Sequence, residues 1–162
     1  MAVDMFIKID GIDGGSVSHK HKGEIDLLSF SWGLTNSATS SGGGSGAGKP
    51  TVSDFSIIKQ MDQTSPQLFE KCCQGERISD VLVTLVNKEK GQEFYKIKLT
   101  DCIISSYQTS GGSSGGVVPM ESVSFNFSNV DLQAADKNGQ FVSQVACNFG
   151  KGGSNAIDHN HE

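Results

Sequence analysis

Apolar and polar residues alternate in short runs along most of this chain, which is the period of strands with one buried face. Val3, Met5, Ile7 and Ile9 alternate with Asp4, Lys8 and Asp10, broken only by Phe6, so residues 2–10 predict a first strand. From about Glu24 to Asn36 the pattern predicts a second, with Leu28, Phe30, Trp32 and Leu34 on the core face and Leu27, Ser29, Ser31 and Gly33 on the other. Val52, Phe55, Ile57 and Ile58 favour a third. The period then changes. Thr64 or Ser65 can cap a helix whose first turn holds Pro66, where the missing N–H costs nothing. Leu68, Phe69, Cys72 and Cys73 predict one apolar stripe, Gln67, Glu70, Lys71 and Gln74 the wet side, and Gly75 the stop. The result is one short flanking helix over about 65–74, of roughly three turns.

Beyond it the chain returns to strands. Residues 78–88 and 92–107 predict a long hairpin around Lys88-Glu89-Lys90-Gly91. Val123, Phe125 and Phe127 point inward between Ser122, Ser124, Asn126 and Ser128. Residues 130–135 and 141–149 predict a last hairpin around Asp136–Gly139, with Asn138-Gly139 as the turn pair. The fold class is therefore mainly β, with the single helix packed on its side.

Glycine and serine punctuate this body. Residues 11–23 and 110–116 read as loops, and Ser37–Pro50 is a low-complexity arm that cannot bury enough surface to offset its ordering entropy. Loops of that length are lids, or arms that order against a partner. Residues 150–162 read as a flexible tail, leaving 1–149 as one domain. Two strand faces are small, polar and uncharged, one holding Ser29 and Ser31 and the other Ser122, Ser124 and Asn126, a composition that suits a wall facing water at close quarters or a sheet joined edge to edge with a neighbour.

Composition narrows the function classes. With 162 residues, 36% of them hydrophobic, the chain is long enough to close one core. A net charge of -5 with scattered basic residues argues against a nucleic-acid groove. No apolar run is long enough to span a membrane, and the opening residues lack the basic start and apolar core of a cleavable signal peptide. Cys72, Cys73, Cys102 and Cys147 therefore read as core residues or free thiols, without zinc spacing.

Candidate chemistry is sparse. Gly43 to Lys49 approaches a phosphate-binding loop, but Pro50 stands where a hydroxyl should hold magnesium, and a strand follows where a helix is required. His19 and His21, like His159 and His161, are spaced as pairs in loop or tail and read as solvated. Asp26, Asp54, Glu121 and Asp131 lie at strand ends and read as solvated charge, and no nucleophile sits in an elbow motif. Neither an enzyme nor a cofactor site is expected. A monomeric β-sandwich binding module would need exposed aromatics, yet the alternation turns Trp32 inward.

Residues 5–10 (MFIKID), 24–33 (EIDLLSFSWG), the glycine-rich arm ending Gly46-Ala47-Gly48-Lys49, residues 55–73 with their DQTSPQL centre, and residues 121–127 (ESVSFNF) resemble, in order and spacing, the haemolysin-coregulated protein (Hcp) family. The likeness runs from about Met1 to Phe149. It implies a small two-sheet β-barrel with a helix at its side, serving as a tube subunit of the bacterial type VI secretion system. Family members form homo-hexameric rings that stack into an inner tube, with effector proteins in the lumen, a spike protein at the tip and a contractile sheath around it. Another contractile injection device would use the same fold. The resemblance further implies that the arm, with Ser40, Gly43, Gly44, Gly46 and Lys49, reaches an adjacent ring, and that Ser29 and Ser31 face the lumen. It places the protein in the cytoplasm when assembled and outside the cell after secretion, with neither nucleic acid nor membrane as partner.

Overall fold

Strands rich in Val, Ile and Phe, each with one apolar face, can bury those faces by curling the sheet around them. The computed structural model, which describes residues 1–37, 48–113 and 115–150, has that form. Its strands are β1 (Val3–Ile9), β2 (Ile25–Leu27), β3 (Ser29–Ser31), β4 (Leu34–Asn36), β5 (Pro50–Val52), β6 (Phe55–Gln60), β7 (Ile78–Asn87), β8 (Gln92–Ser110), β9 (Met120–Ala135) and β10 (Phe141–Asn148), with the helix α1 (Ser65–Gln74) between β6 and β7. An antiparallel sheet runs β2-β1-β7-β8-β9-β6-β3, with β10 added beside β9, while β4 and β5 form a separate ribbon. The two ends of that order, β2 and β3, are separated in sequence by Leu28 alone. Leu28 N–H donates to the Ile58 carbonyl of β6 (2.9 Å), so the chain itself draws the sheet nearly closed into a barrel.

The crossing at Leu28 corrects the expected second strand. Residues 24–36 form three short strands, and the inward face changes parity between them: Ile25 and Leu27 are buried, Leu28 is 46% exposed, and Phe30 and Trp32 pack against the core. Leaving β1 for β6 needs one residue out of phase. Leu34, expected in the core, is 58% exposed because it belongs to the β4–β5 ribbon. The core is filled by Ile7, Phe55, Ile57, Val81, Leu99 and Phe125 among others, with Trp32 edge-on to Phe55 and Phe127.

The helix spans the expected residues, with Pro66 in its first turn. Gly75 adopts φ 61°, and its N–H and that of Glu76 close onto the Cys72 and Lys71 carbonyls. The stripe is narrower than its periodicity suggests. Leu68 is fully buried and Cys72 packs against the core, whereas Phe69 is 59% exposed and meets Tyr107 edge-on, and Cys73 is exposed. The turn between β9 and β10 also differs. The Gly139 N–H returns to the Asp136 carbonyl and the Asp136 carboxylate takes the Asn138 and Gln140 N–H groups, so Lys137-Asn138 is the central pair and Gly139 the left-handed residue after it.

One polar cluster lies inside this apolar frame. Lys59 of β6 is fully buried; its ammonium donates to the Gln60 carbonyl (2.9 Å), to Asp62 (3.0 Å) and to the Glu121 carboxylate of β9. Glu121 also accepts from Ser65 at the head of α1 (2.8 Å) and from the Tyr107 hydroxyl of β8. Glu121 is thus a buried junction, not the solvated strand-end charge its position suggested. Removing one partner of a buried pair leaves the other charge unanswered, so Lys59→Met should lower unfolding stability by about 3–5 kcal/mol, and Lys59→Met with Glu121→Leu should recover part of it. Chemical denaturation followed by Trp32 fluorescence would measure both, and equal stability of Lys59→Met and wild type would refute the assignment.

Candidate functional site

The uncharged faces noticed separately in the sequence lie on one surface. Ser31 of β3 is paired with Ser56 of β6, Ser56 with Ser124 of β9, and Ser124 with Ser106 of β8, a row of serines across adjacent strands. The next row holds Ser29, Ile58, Ser122 and Gln108. Their strand neighbours Phe55, Ile57, Val123 and Phe125 point inward, so the two rows face outward by alternation. Ser56 and Ser124 join through their hydroxyls at 2.8 Å, Ser29 is half-buried and Ser31 exposed. Sequence reading missed Ser56, although Phe55 and Ile57 on either side signalled it.

It missed Ser106 and Gln108 for a different reason, a bulge. β8 and β9 shift register between Ile104 and Ser106, and Ser105 is the extra residue. Its hydroxyl donates to Asp54 (2.5 Å) and lies 3.3 Å from the Ser124 carbonyl. Ile104 points inward; after the bulge Tyr107 does so, reaching Glu121, while Ser106 and Gln108 join the serine wall. At one border Asp54 also accepts from Asn126 (3.0 Å), and Asp101, at φ 57°, takes Ser128 (3.1 Å) and Arg77 (2.6 Å). Charge therefore marks that border, and the rows themselves are neutral.

Among the described residues the wall has two unpaired edges. β3 ends the strand order, and on the β7 side β8 is paired only as far as Cys102, so residues 103–110 have no strand partner there among the described residues. The arm begins and ends on the ribbon, where Asn36 faces Pro50. Lys49 is exposed beside it; Ser40, Gly43, Gly44 and Gly46 lie outside the described residues, as do His159 and His161.

The family model for "type VI secretion system effector, Hcp" matches residues 6–133. The chain belongs to the Hcp family. It is 39% identical over 135 residues to protein hcp1 of Pseudomonas aeruginosa, covering 82% of this chain and 83% of that one. Hcp1 from Salmonella typhimurium has the same fold (TM-score 0.80, 31% identity, 98% of this chain and 100% of that one), as does a type VI secretion system effector from Yersinia pestis (TM-score 0.74, 30% identity, 90% and 99%). The chain is accordingly a type VI secretion protein of a structural, secreted family.

In this Hcp chain the ionisable groups support structure. Burial, followed by the hydrogen bond to Glu121, pushes the Tyr107 hydroxyl up to about 12. Burial and the nearby Asp101 and Asp80 push the Cys102 thiol up to about 12. His21, expected in solvent, is buried: it stacks on Phe6 at 4.3 Å and lies 3.1 Å from both Glu24 and Glu93, holding the 11–23 loop to β8. Among the described residues no group of three or more His, Cys, Asp or Glu side chains gathers to hold a metal, and no helix is long and apolar enough to cross a membrane.

Burial pushes the Asp62 carboxyl up, but the Thr64 hydroxyl and N–H and the Lys59 ammonium outweigh it, and the net shift is downward. A depressed carboxylate contributes stability above its ordinary value, lost as pH falls through the lower folded one. Stability should therefore drop in acid below about pH 4, and Asp62→Asn should flatten that part of the profile; an unchanged slope in denaturation curves taken from pH 6 to 2.5 would count against it. Cys73 should react with an aromatic disulfide reagent at pH 8 in the native protein, and Cys102 only after unfolding.

Proposed function

We propose that this chain is a non-enzymatic subunit of the type VI secretion inner tube, forming hexameric rings that stack and carry effector proteins. The observation that carries the reading is the neutral wall bounded by two unpaired strand edges. Joining the β3 edge of one copy to the 103–110 edge of the next is a head-to-tail contact, and such contacts close into a ring when the rotation permits. It would also cover the backbone groups that make a free edge prone to aggregation. The serine rows would then continue from subunit to subunit as the lumen lining, with Ser29 and Ser31 nearest the joint.

A hydroxyl wall without charge suits passage. It holds water, presents no fixed charge to a passing protein, and offers many weak hydrogen bonds in place of a few strong ones. The arm bearing Ser40, Gly43, Gly44, Gly46 and Lys49 would order on the adjacent ring, where binding offsets the entropy it holds when free. A spike protein would cap the tube and a contractile sheath surround it. The assembled tube would stand in the cytoplasm before export.

Light scattering after gel filtration, with micrographs of the same peak, tests the ring: a mass near six subunits with an open centre is expected, and a monomer across a wide concentration range would refute it. Ser31→Glu should leave the ring intact while reducing effector co-purification by about tenfold, the effect of roughly 1.4 kcal/mol. Unchanged retention would remove Ser31 from the lumen.

A further inference from the structure

A groove of about 290 Å³ opens between the 11–23 loop and the segment leading from β6 to α1. Leu28 and Met61, 46% and 41% exposed, line it together with Gly15, Gln63 and the carboxylates of Asp26 and Asp62. Asp62 is engaged by Lys59 and Thr64, whereas Asp26 is exposed and has no ion-pair partner among the described residues. The groove thus offers two exposed apolar side chains among mostly polar ones, and one carboxylate without an ion-pair partner among the described residues.

The complementary feature is on the same chain. Lys49 is the sole charged residue between Asp26 and Asp54. It is exposed, without an ion-pair partner among the described residues, and sits at the end of the β4–β5 ribbon where Asn36 faces Pro50. That ribbon has only two strands, and its Leu34 is 58% exposed. A lone two-stranded ribbon is marginal in water and gains most when its apolar side is covered. We infer that the groove receives the β4–β5 ribbon of a second copy, with Leu34 against Leu28 and Met61 and with Lys49 opposite Asp26. The inference rests on the tube reading and assigns the receiving surface on the neighbouring ring.

The contact can be trapped and isotopically sorted. Rings prepared separately with ¹⁴N and ¹⁵N are mixed at high concentration and treated with a carbodiimide, which couples a lysine amine to a carboxylate in contact with it. The expected product is a Lys49–Asp26 peptide pair of mixed isotope in mass spectra. Lys49→Glu should abolish it; in micrographs Lys49→Glu rings alone and Asp26→Lys rings alone should fail to stack, and mixing the two should restore stacking. Rings of unchanged mass that yield no mixed pair, that couple only within one isotope, or that stack equally well with Lys49→Glu would overturn the contact while sparing the ring. Mixed pairs from a protein that is monomeric in dilute solution would support the contact and refute the ring.

Discussion

The ammonium of Lys59, buried without access to water, is the constraint on which the fold turns. A charge in that position is tolerable only when each of its three donors is answered, and the answers come from three places: its own strand end at Gln60, the turn at Asp62, and β9 at Glu121. Glu121 in turn collects Ser65 from the head of α1 and Tyr107 from β8. Strand, turn, helix and two further strands are thereby tied at one point. The side chain of Thr64, at the helix N-cap position, makes no capping bond to the helix and turns to Asp62, while Ser65 accepts the Asp62 N–H, so the helix start belongs to the cluster more than to the helix.

Much of the fold was legible because its signals are local. The period change at Pro66 and the stop at Gly75 mark α1, and alternation marks β1 and β9. What was illegible depended on distance. The serine at position 56 means little until β6 is seen between β3 and β9, and Glu121 looks like surface charge until Lys59, far away in sequence, is placed opposite it. Leu28 and Ser105 were hidden for a third reason. Each puts the chain out of phase by one residue, and alternation read without knowledge of the shift assigns everything beyond it to the wrong face.

Matches to Hcp proteins carry the family and the barrel, and the strand register adds the way Ser29, Ser31, Ser56 and Ser124 come to share one surface. The same register keeps that surface independent of the core. On β9 the inward residues Val123 and Phe125 alternate with the outward Ser122 and Ser124, so the side chains facing outward can change without disturbing those that hold the barrel together.

The bulge at Ser105 sets the limit of that freedom. Were Ser105 to pair as an ordinary strand residue, with no bulge, Tyr107 would turn out onto the wall and Ser106 inward towards Glu121, exchanging the two faces for the last part of β8. The β8–β9 segment therefore behaves like a text read in a fixed frame. Its letters on the outer face can be replaced one at a time, but an insertion or deletion garbles inside and outside together, and a lineage can vary the wall while keeping its length.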